Sequence, residues 1–131
     1  MKIKQMEYKP TNCIVIPGKN QFFMKWLQFL APLHGLTNKE MEIAAEFLIK
    51  RDEIQQSITD NTFVDKVLFS FEKKEEIRNK FGMVRTYFYT VITKFKKAKF
   101  IVDERINPKF IPKYSEDKNM CQLLIVFNKN E

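Results

Sequence analysis

The chain has 131 residues, 44% of them hydrophobic, and a formal net charge of +7. That length suits one domain with a real core, much of it supplied by thirteen Phe, four Tyr and one Trp. Two distant cysteines and a single histidine match no metal spacing. No apolar run approaches the ~20 residues that span a bilayer, and the start, MKIKQMEYKP, has charges without the apolar centre of a secretory signal. A bound metal, a cofactor and a membrane are therefore not expected. The expected location is the cytoplasm, or a particle assembled there. Cys13 and Cys121 read as reduced, half-buried strand residues.

In chain order, NCIVI (12–16) is β-branched and lies between Pro10 and the Pro17-Gly18 turn signal, so it predicts a strand. Residues 20–31 place Phe23, Trp26, Leu27 and Leu30 on one helical face, with Pro32 and Gly35 ending that helix. Trp26, Phe22, Phe23 and Phe29 read as core; the alternative is an aromatic patch for a partner chain, as strand 12–16 is an edge on offer to one. LTNKE (36–40) is a capping box, Thr37 with Glu40, opening a helix over about 38–57. Its two apolar stripes, Met41/Ala44/Ala45/Leu48 and Ile43/Phe47/Ile54/Ile58, predict cover on more than one side. Thr62 is expected to cap a short helix, FVDKVLF, and Ser70 the next, FEKKEEIRNKF, with Glu72 suiting the helix dipole. Gly82 stands where a left-handed C-terminal cap belongs. A further helix is predicted over 83–98. KFIVDE (99–104) and QLLIVF (122–127) then read as paired strands around a Pro-rich, charged loop, INPKFIPKYSEDKN.

The positive charge is concentrated. Residues 83–113 hold eight Lys or Arg and only Asp103 and Glu104 as acids, a net of +6, whereas residues 36–82 carry eight basic and ten acidic residues. At roughly 100° per residue, Val84, Phe88, Val91, Ile92 and Phe95 share one face of the 83–98 helix. Thr86, Thr90, Thr93 and Lys97 lie opposite, flanked by Arg85, Tyr89, Lys94 and Lys96, and the helix has no acid. Short hydroxyls let a helix approach base edges and phosphates closely; Arg and Lys neutralise phosphate, and an Arg can read guanine through two hydrogen bonds. The plain alternative is a solvated basic face.

No catalytic constellation is present. His34, beside Pro32 and Gly35, has no partner in sequence and reads as a loop residue. Gly18-Lys19 lacks the rest of a phosphate loop. Glu72, Glu75 and Glu76 with Lys73, Lys74 and Arg78 read as exposed helical ion pairs. An enzyme is not expected.

The order of helix, short helix, helix, Gly turn, helix and charged ribbon over residues 36–127 resembles the winged helix-turn-helix family. The residues that carry the resemblance are the capped helix at Thr37, Ser70 to Gly82 as the first helix of the motif, 83–98 as recognition helix, and Lys97-Ala98-Lys99-Phe100-Ile101 as the junction to the wing. Ala98 stands where a Gly is common. The resemblance implies a mainly α fold with a small antiparallel sheet (α+β), built as a single domain with residues 1–35 as a strand–helix extension. It implies binding of double-stranded DNA by a regulator. Arg85, Thr86, Tyr89, Thr90, Thr93, Lys94, Lys96 and Lys97 would lie in the major groove, and Arg105, Lys109 and Lys113 on phosphates. The run LTNKE…AAEFL…LFS…FIVDERINPKFIP also resembles small winged-helix-like proteins of crAss-like tailed phages. That resemblance implies the alternative, a virion or protein-interaction component, such as a ring associated with a portal or neck, whose partners are neighbouring subunits or further copies of itself.

Overall fold

A computed structural model describes residues 18, 21–114, 121, 128 and 129. The expected strands at 12–16 and 122–127 lie outside the described residues. The elements are α1 (Phe22–Phe29), α2 (Ala31–His34), α3 (Asn38–Gln55), α4 (Asn61–Leu68), α5 (Phe71–Lys80), α6 (Arg85–Lys97), β1 (Ile101–Val102), β2 (Arg105–Ile106) and a 3-10 turn at Pro108–Phe110. The fold is mainly helical with a two-stranded antiparallel sheet.

Side-chain caps set the starts of α3, α4 and α5. The Thr37 Oγ1 accepts from the Glu40 amide at 3.2 Å and the Glu40 Oε1 accepts from the Thr37 amide at 3.0 Å, the reciprocal box expected from LTNKE. Ser70 caps α5 as expected, its Oγ accepting from the Lys73 amide. The cap of α4 is Asp60, not Thr62: the Asp60 carboxylate accepts from the Thr62 amide, and the helix starts at Asn61, two residues before FVDKVLF. The predicted 20–31 helix divides as well. Pro32 does not end it but sits in the first turn of α2, where a missing N–H costs nothing; Gly35, at φ 64°, closes that turn.

α3 packs against α1, α4 and α5. Met41, Ala44, Ala45 and Leu48 on one stripe and Ile43 and Phe47 on the other are buried, so the two-sided reading of its sequence holds. Phe47 is the hub of an aromatic chain. Its ring lies 5.6 Å from Phe69, 6.3 Å from Phe88 and 6.0 Å from Phe95. Phe95 then meets Phe100 at 5.2 Å, Phe100 meets Phe110 at 5.7 Å, and Phe110 meets His34 at 5.9 Å. The Phe69 and Phe88 contacts are stacked and the rest edge-on or tilted, and aromatic pairs of this kind add about 0.5–1.5 kcal/mol each beyond burial. They tie α6 and the hairpin to α3 and α2.

His34 is part of this core rather than a loop residue. It is buried at the end of α2, its Nδ1 accepts from the Leu36 amide at 2.9 Å, and Nε2–H donates to the Leu27 carbonyl at 2.8 Å. Both ring nitrogens are used by the neutral imidazole. Trp26 is half-buried and donates Nε1–H to the Phe110 carbonyl at 2.9 Å. Leu27 and Leu30 are buried, as their stripe predicts, but Phe29 is 51% exposed and does not join the core.

A polar link joins three elements. Arg51 on α3 and Asp65 on α4 are 6% and 3% exposed, and the Arg51 Nε and Nη2 donate to the two Asp65 oxygens at 3.3 and 3.4 Å. The Asp65 Oδ1 also accepts from the Ile106 amide of β2 at 3.3 Å, and the Arg51 Nη1 donates to Gln55 at 2.9 Å. Among the described residues every buried side-chain N or O has a partner.

The ribbon differs from expectation. KFIVDE is not one long strand. Ile101 pairs with Ile106 and Val102 with Arg105, and the chain reverses at Asp103-Glu104. Both turn residues lie in the left-handed region, at φ 55° and 59°, as a two-residue hairpin of this twist requires. The following segment is no free loop: Ile106 and Phe110 are buried, and the 3-10 turn packs onto the core. Beyond it, Tyr114 and the half-buried Cys121 form an isolated antiparallel bridge.

Breaking the buried pair from one side strands an Arg charge. Asp65→Ala is expected to lose about 3–5 kcal/mol in denaturant unfolding, and Asp65→Asn clearly less, because an oxygen acceptor for the Ile106 amide remains. Equal, small losses for both variants would contradict the role given to this link.

Candidate nucleic-acid interface

α6 is held by its inner face. Phe88, Val91, Ile92 and Phe95 are buried, as the spacing predicts, but Val84 is 68% exposed. The helix starts at Arg85 rather than 83, so Val84 is its N-cap, outside the buried stripe, and it supplies no side-chain cap. The amides of the first turn are thus not taken by a capping side chain, and the turn has no acid. The opposite face is open: Thr86, Thr90, Thr93 and Lys97 are all exposed, as are Arg85, Tyr89, Lys94 and Lys96.

The two ends of α5 and α6 use the same cap with different residues. α5 ends in a Schellman arrangement, the Met83 amide donating to the Arg78 carbonyl and the Gly82 amide to that of Asn79, with Gly82 at φ 63°. α6 repeats it: the Phe100 amide donates to the Phe95 carbonyl at 2.9 Å and the Lys99 amide to the Lys96 carbonyl at 3.1 Å, and the Phe95 and Phe100 rings touch. Here the left-handed residue is Lys99, at φ 65°, not Ala98, which is ordinary αR. A side chain in this region costs about 1–2 kcal/mol relative to Gly.

The expected cations divide into two groups. Three are paired with carboxylates, which the sequence analysis did not anticipate. The Arg85 Nη2 donates to the Glu75 Oε1 at 3.1 Å, Lys94 Nζ lies 2.8 Å from Glu40 Oε2, and Lys96 Nζ is 3.7 Å from Glu104 Oε2. The other group, Lys97, Arg105, Lys109 and Lys113, is exposed and has no carboxylate partner among the described residues. Lys99, which the helix-face argument leaves out, belongs with them. The Asn107 side-chain amide donates to the Lys99 carbonyl at 2.8 Å and its oxygen accepts from the Lys109 amide. Asn107 thereby ties Lys99 to Lys109 beside the hairpin, where Lys97 ends α6 and Arg105 opens β2.

The hydroxyls are also less free than their spacing implies. Thr90 donates to the Thr86 carbonyl and Thr93 to the Tyr89 carbonyl, each at 3.0 Å, so both face outward as acceptors. Tyr89 has the Lys74 ammonium 5.3 Å from its ring centre. The hairpin tip is acidic, Asp103 and Glu104, and so unsuited to phosphate; the basic side of the hairpin is Arg105.

The carboxylates respond to these partners. Hydrogen bonds from Arg78 first and Arg85 second bring the Glu75 carboxyl down to about 2. Burial pushes the Glu40 carboxyl up, but the Lys94 ammonium and the Thr37 amide outweigh it and hold Glu40 below its ordinary value. The Glu40 contact in turn raises Lys94. The i,i+3 pairing of Glu75 with Arg78 follows from the sequence, but the pair is half-buried rather than exposed as expected. The reach of Glu75 across the turn to Arg85, and of Glu40 to Lys94, does not follow from the sequence, because each joins separate helices.

No family model matches the chain, and neither a curated protein nor a solved structure matches it.

A depressed carboxyl stabilises the fold above its unfolded value and stops doing so as pH falls through its folded one. Glu75 should therefore titrate near about 2 by side-chain NMR, its contribution fading between the ordinary 4.5 and that midpoint. Arg85→Ala should raise the midpoint while Arg78 still keeps it below 4.5. A midpoint at the ordinary value in the unmodified protein would rule out the shared carboxylate.

Proposed function

We propose that this chain binds double-stranded DNA. α5, the Gly82 turn and α6 serve as a helix-turn-helix, and β1–β2 as a short wing, in the manner of a winged helix. The observation that carries the reading is the open face of α6. It has no acid and runs at its hairpin end into Lys97, Lys99, Arg105 and Lys109, which lack carboxylate partners among the described residues. Phosphate neutralisation supplies most of the affinity of such a surface, and its register on the duplex follows from where those cations stand.

The strained Lys99 supports the same reading. Gly82 does the equivalent backbone task without strain, so a Lys at φ 65° trades stability for a charge at that spot. Breaks of local rules of this kind concentrate at functional sites. The uncapped start of α6 adds a second, weaker attraction for phosphate. The acidic hairpin tip turns the contact toward Arg105 and away from Asp103-Glu104.

A second reading has its own observation. Phe71 and Val84 are 62% and 68% exposed near the start of α6, and the Arg85 guanidinium lies 5.8 Å from the Phe71 ring. Exposed apolar side chains there favour contact with a neighbouring protein, as in a virion or other assembly. Sedimentation separates the readings: a large ring favours the assembly, a monomer or twofold dimer that retards duplex DNA favours the first.

Duplex titration at several ionic strengths tests the proposal. Five phosphate contacts, from Lys97, Lys99, Arg105, Lys109 and Lys113, give a slope of log Kobs against log salt of about −4 to −5, and Lys97→Ala should reduce it by about 0.9. Lys99→Gly should move stability and binding in opposite directions, raising unfolding free energy by about 1 kcal/mol while weakening all duplexes alike. Binding that ignores salt, or none at low salt, would defeat the proposal.

A further inference from the structure

Two guanidinium groups share one carboxylate at the turn between α5 and α6, and they share it unequally. Arg78 donates Nη2–H to the Glu75 Oε1 at 2.7 Å and Nε–H to Oε2 at 3.1 Å, and its Nη1 also donates to the Met83 carbonyl at 2.6 Å. Arg85 makes the same pair of contacts more loosely, at 3.1 and 3.3 Å. The Arg78 side chain is 18% exposed and that of Arg85 62%. Arg78 is thus built into the turn. Arg85 sits over it, steadied by the Phe71 ring, at the first position of the helix that faces outward.

We infer that Glu75 is a positioning residue that masks Arg85 in the free protein and gives it up to the duplex. This inference rests on the DNA-binding reading above. The exchange is inexpensive in one direction only. When Arg85 leaves, Glu75 keeps two hydrogen bonds from Arg78, so no carboxylate is left unpaired. If Arg78 left, the turn would also lose its bond to the Met83 carbonyl. Arg85 is therefore the one that moves. The site carries one unit of positive charge beyond what Glu75 neutralises, and that surplus lies beside the uncapped amides of α6. Glu75 already engages the Arg85 fork through both of its oxygens, so a phosphate offers Arg85 an equivalent acceptor and the exchange is closely balanced. Masking thus lowers binding to duplex of any sequence.

Glu75→Gln removes the mask while leaving an oxygen for Arg78. It should tighten random-sequence duplex about three- to fivefold, the scale of one exposed ion pair, and steepen the salt slope by about 0.9. A merely structural role for Glu75 would not steepen that slope. The gain should vanish in Glu75→Gln/Arg85→Ala. In the unmodified protein, the Arg85 Nε–H resonance should move on duplex addition while that of Arg78 stays. This second readout holds even if the Gln variant folds poorly. A gain that persists without Arg85, no gain at all, or an Arg78 signal that moves instead would overturn the inference and leave the DNA-binding reading standing. Absence of duplex binding by the unmodified protein would remove both.

Discussion

The buried pair of Arg51 and Asp65 decides where the hairpin sits. Asp65 receives the Arg51 guanidinium from α3 and the Ile106 amide from β2, so one carboxylate fixes the helical body, α4 and the sheet relative to one another. Ion pairs this deep add little net stability compared with an apolar replacement, but they punish every alternative in which one partner is missing. A two-residue strand pair has almost no independent stability. It persists here because Ile101, Ile106 and Phe110 are buried and Asp65 holds the Ile106 amide.

With the hairpin fixed, the end of α6 is fixed too. Phe95, Phe100 and Phe110 form a continuous aromatic contact from helix to hairpin to 3-10 turn. Lys97, Lys99, Arg105 and Lys109 ride on that rigid corner. Lys99 adds backbone strain there, with φ at 65°. Packing supplies the compensation. For the duplex contact we propose, a surface held in this way would be preorganised, its backbone ordering being met during folding rather than on binding.

Much of the scaffold was legible. The capping box at Thr37, the Ser70 cap, the left-handed Gly82, the two-sided α3 and the inward Phe88, Val91, Ile92 and Phe95 all follow from local rules, and each appears. What local rules missed is tertiary. Asp60 replaced Thr62 as a cap because several adjacent polar residues can all cap. Val84 left the buried stripe because the helix began two residues late. The hairpin hid inside an apparently continuous strand because its turn, Asp103-Glu104, has no Gly to announce it. At the candidate site, exposure was predictable from periodicity, whereas pairing was not. Arg85, Lys94 and Lys96 meet Glu75, Glu40 and Glu104 across separate elements, so three of the expected cations are engaged by carboxylates that only folding brings near. The same holds for His34, whose two hydrogen bonds come from residues on either side of a turn.

The central claim is that the outer face of α6 and the hairpin corner act as one contact surface. The most direct measurement is the set of backbone amide shifts on titration with a short duplex at low salt. The account predicts that residues on the exposed side of α6 and the segment from Lys99 to Lys109 shift together along a single binding curve, while α1 around Phe29 and Leu33 stays still. Shifts confined to the Phe29 and Leu33 surface, or α6 and the hairpin responding with separate affinities, would contradict it.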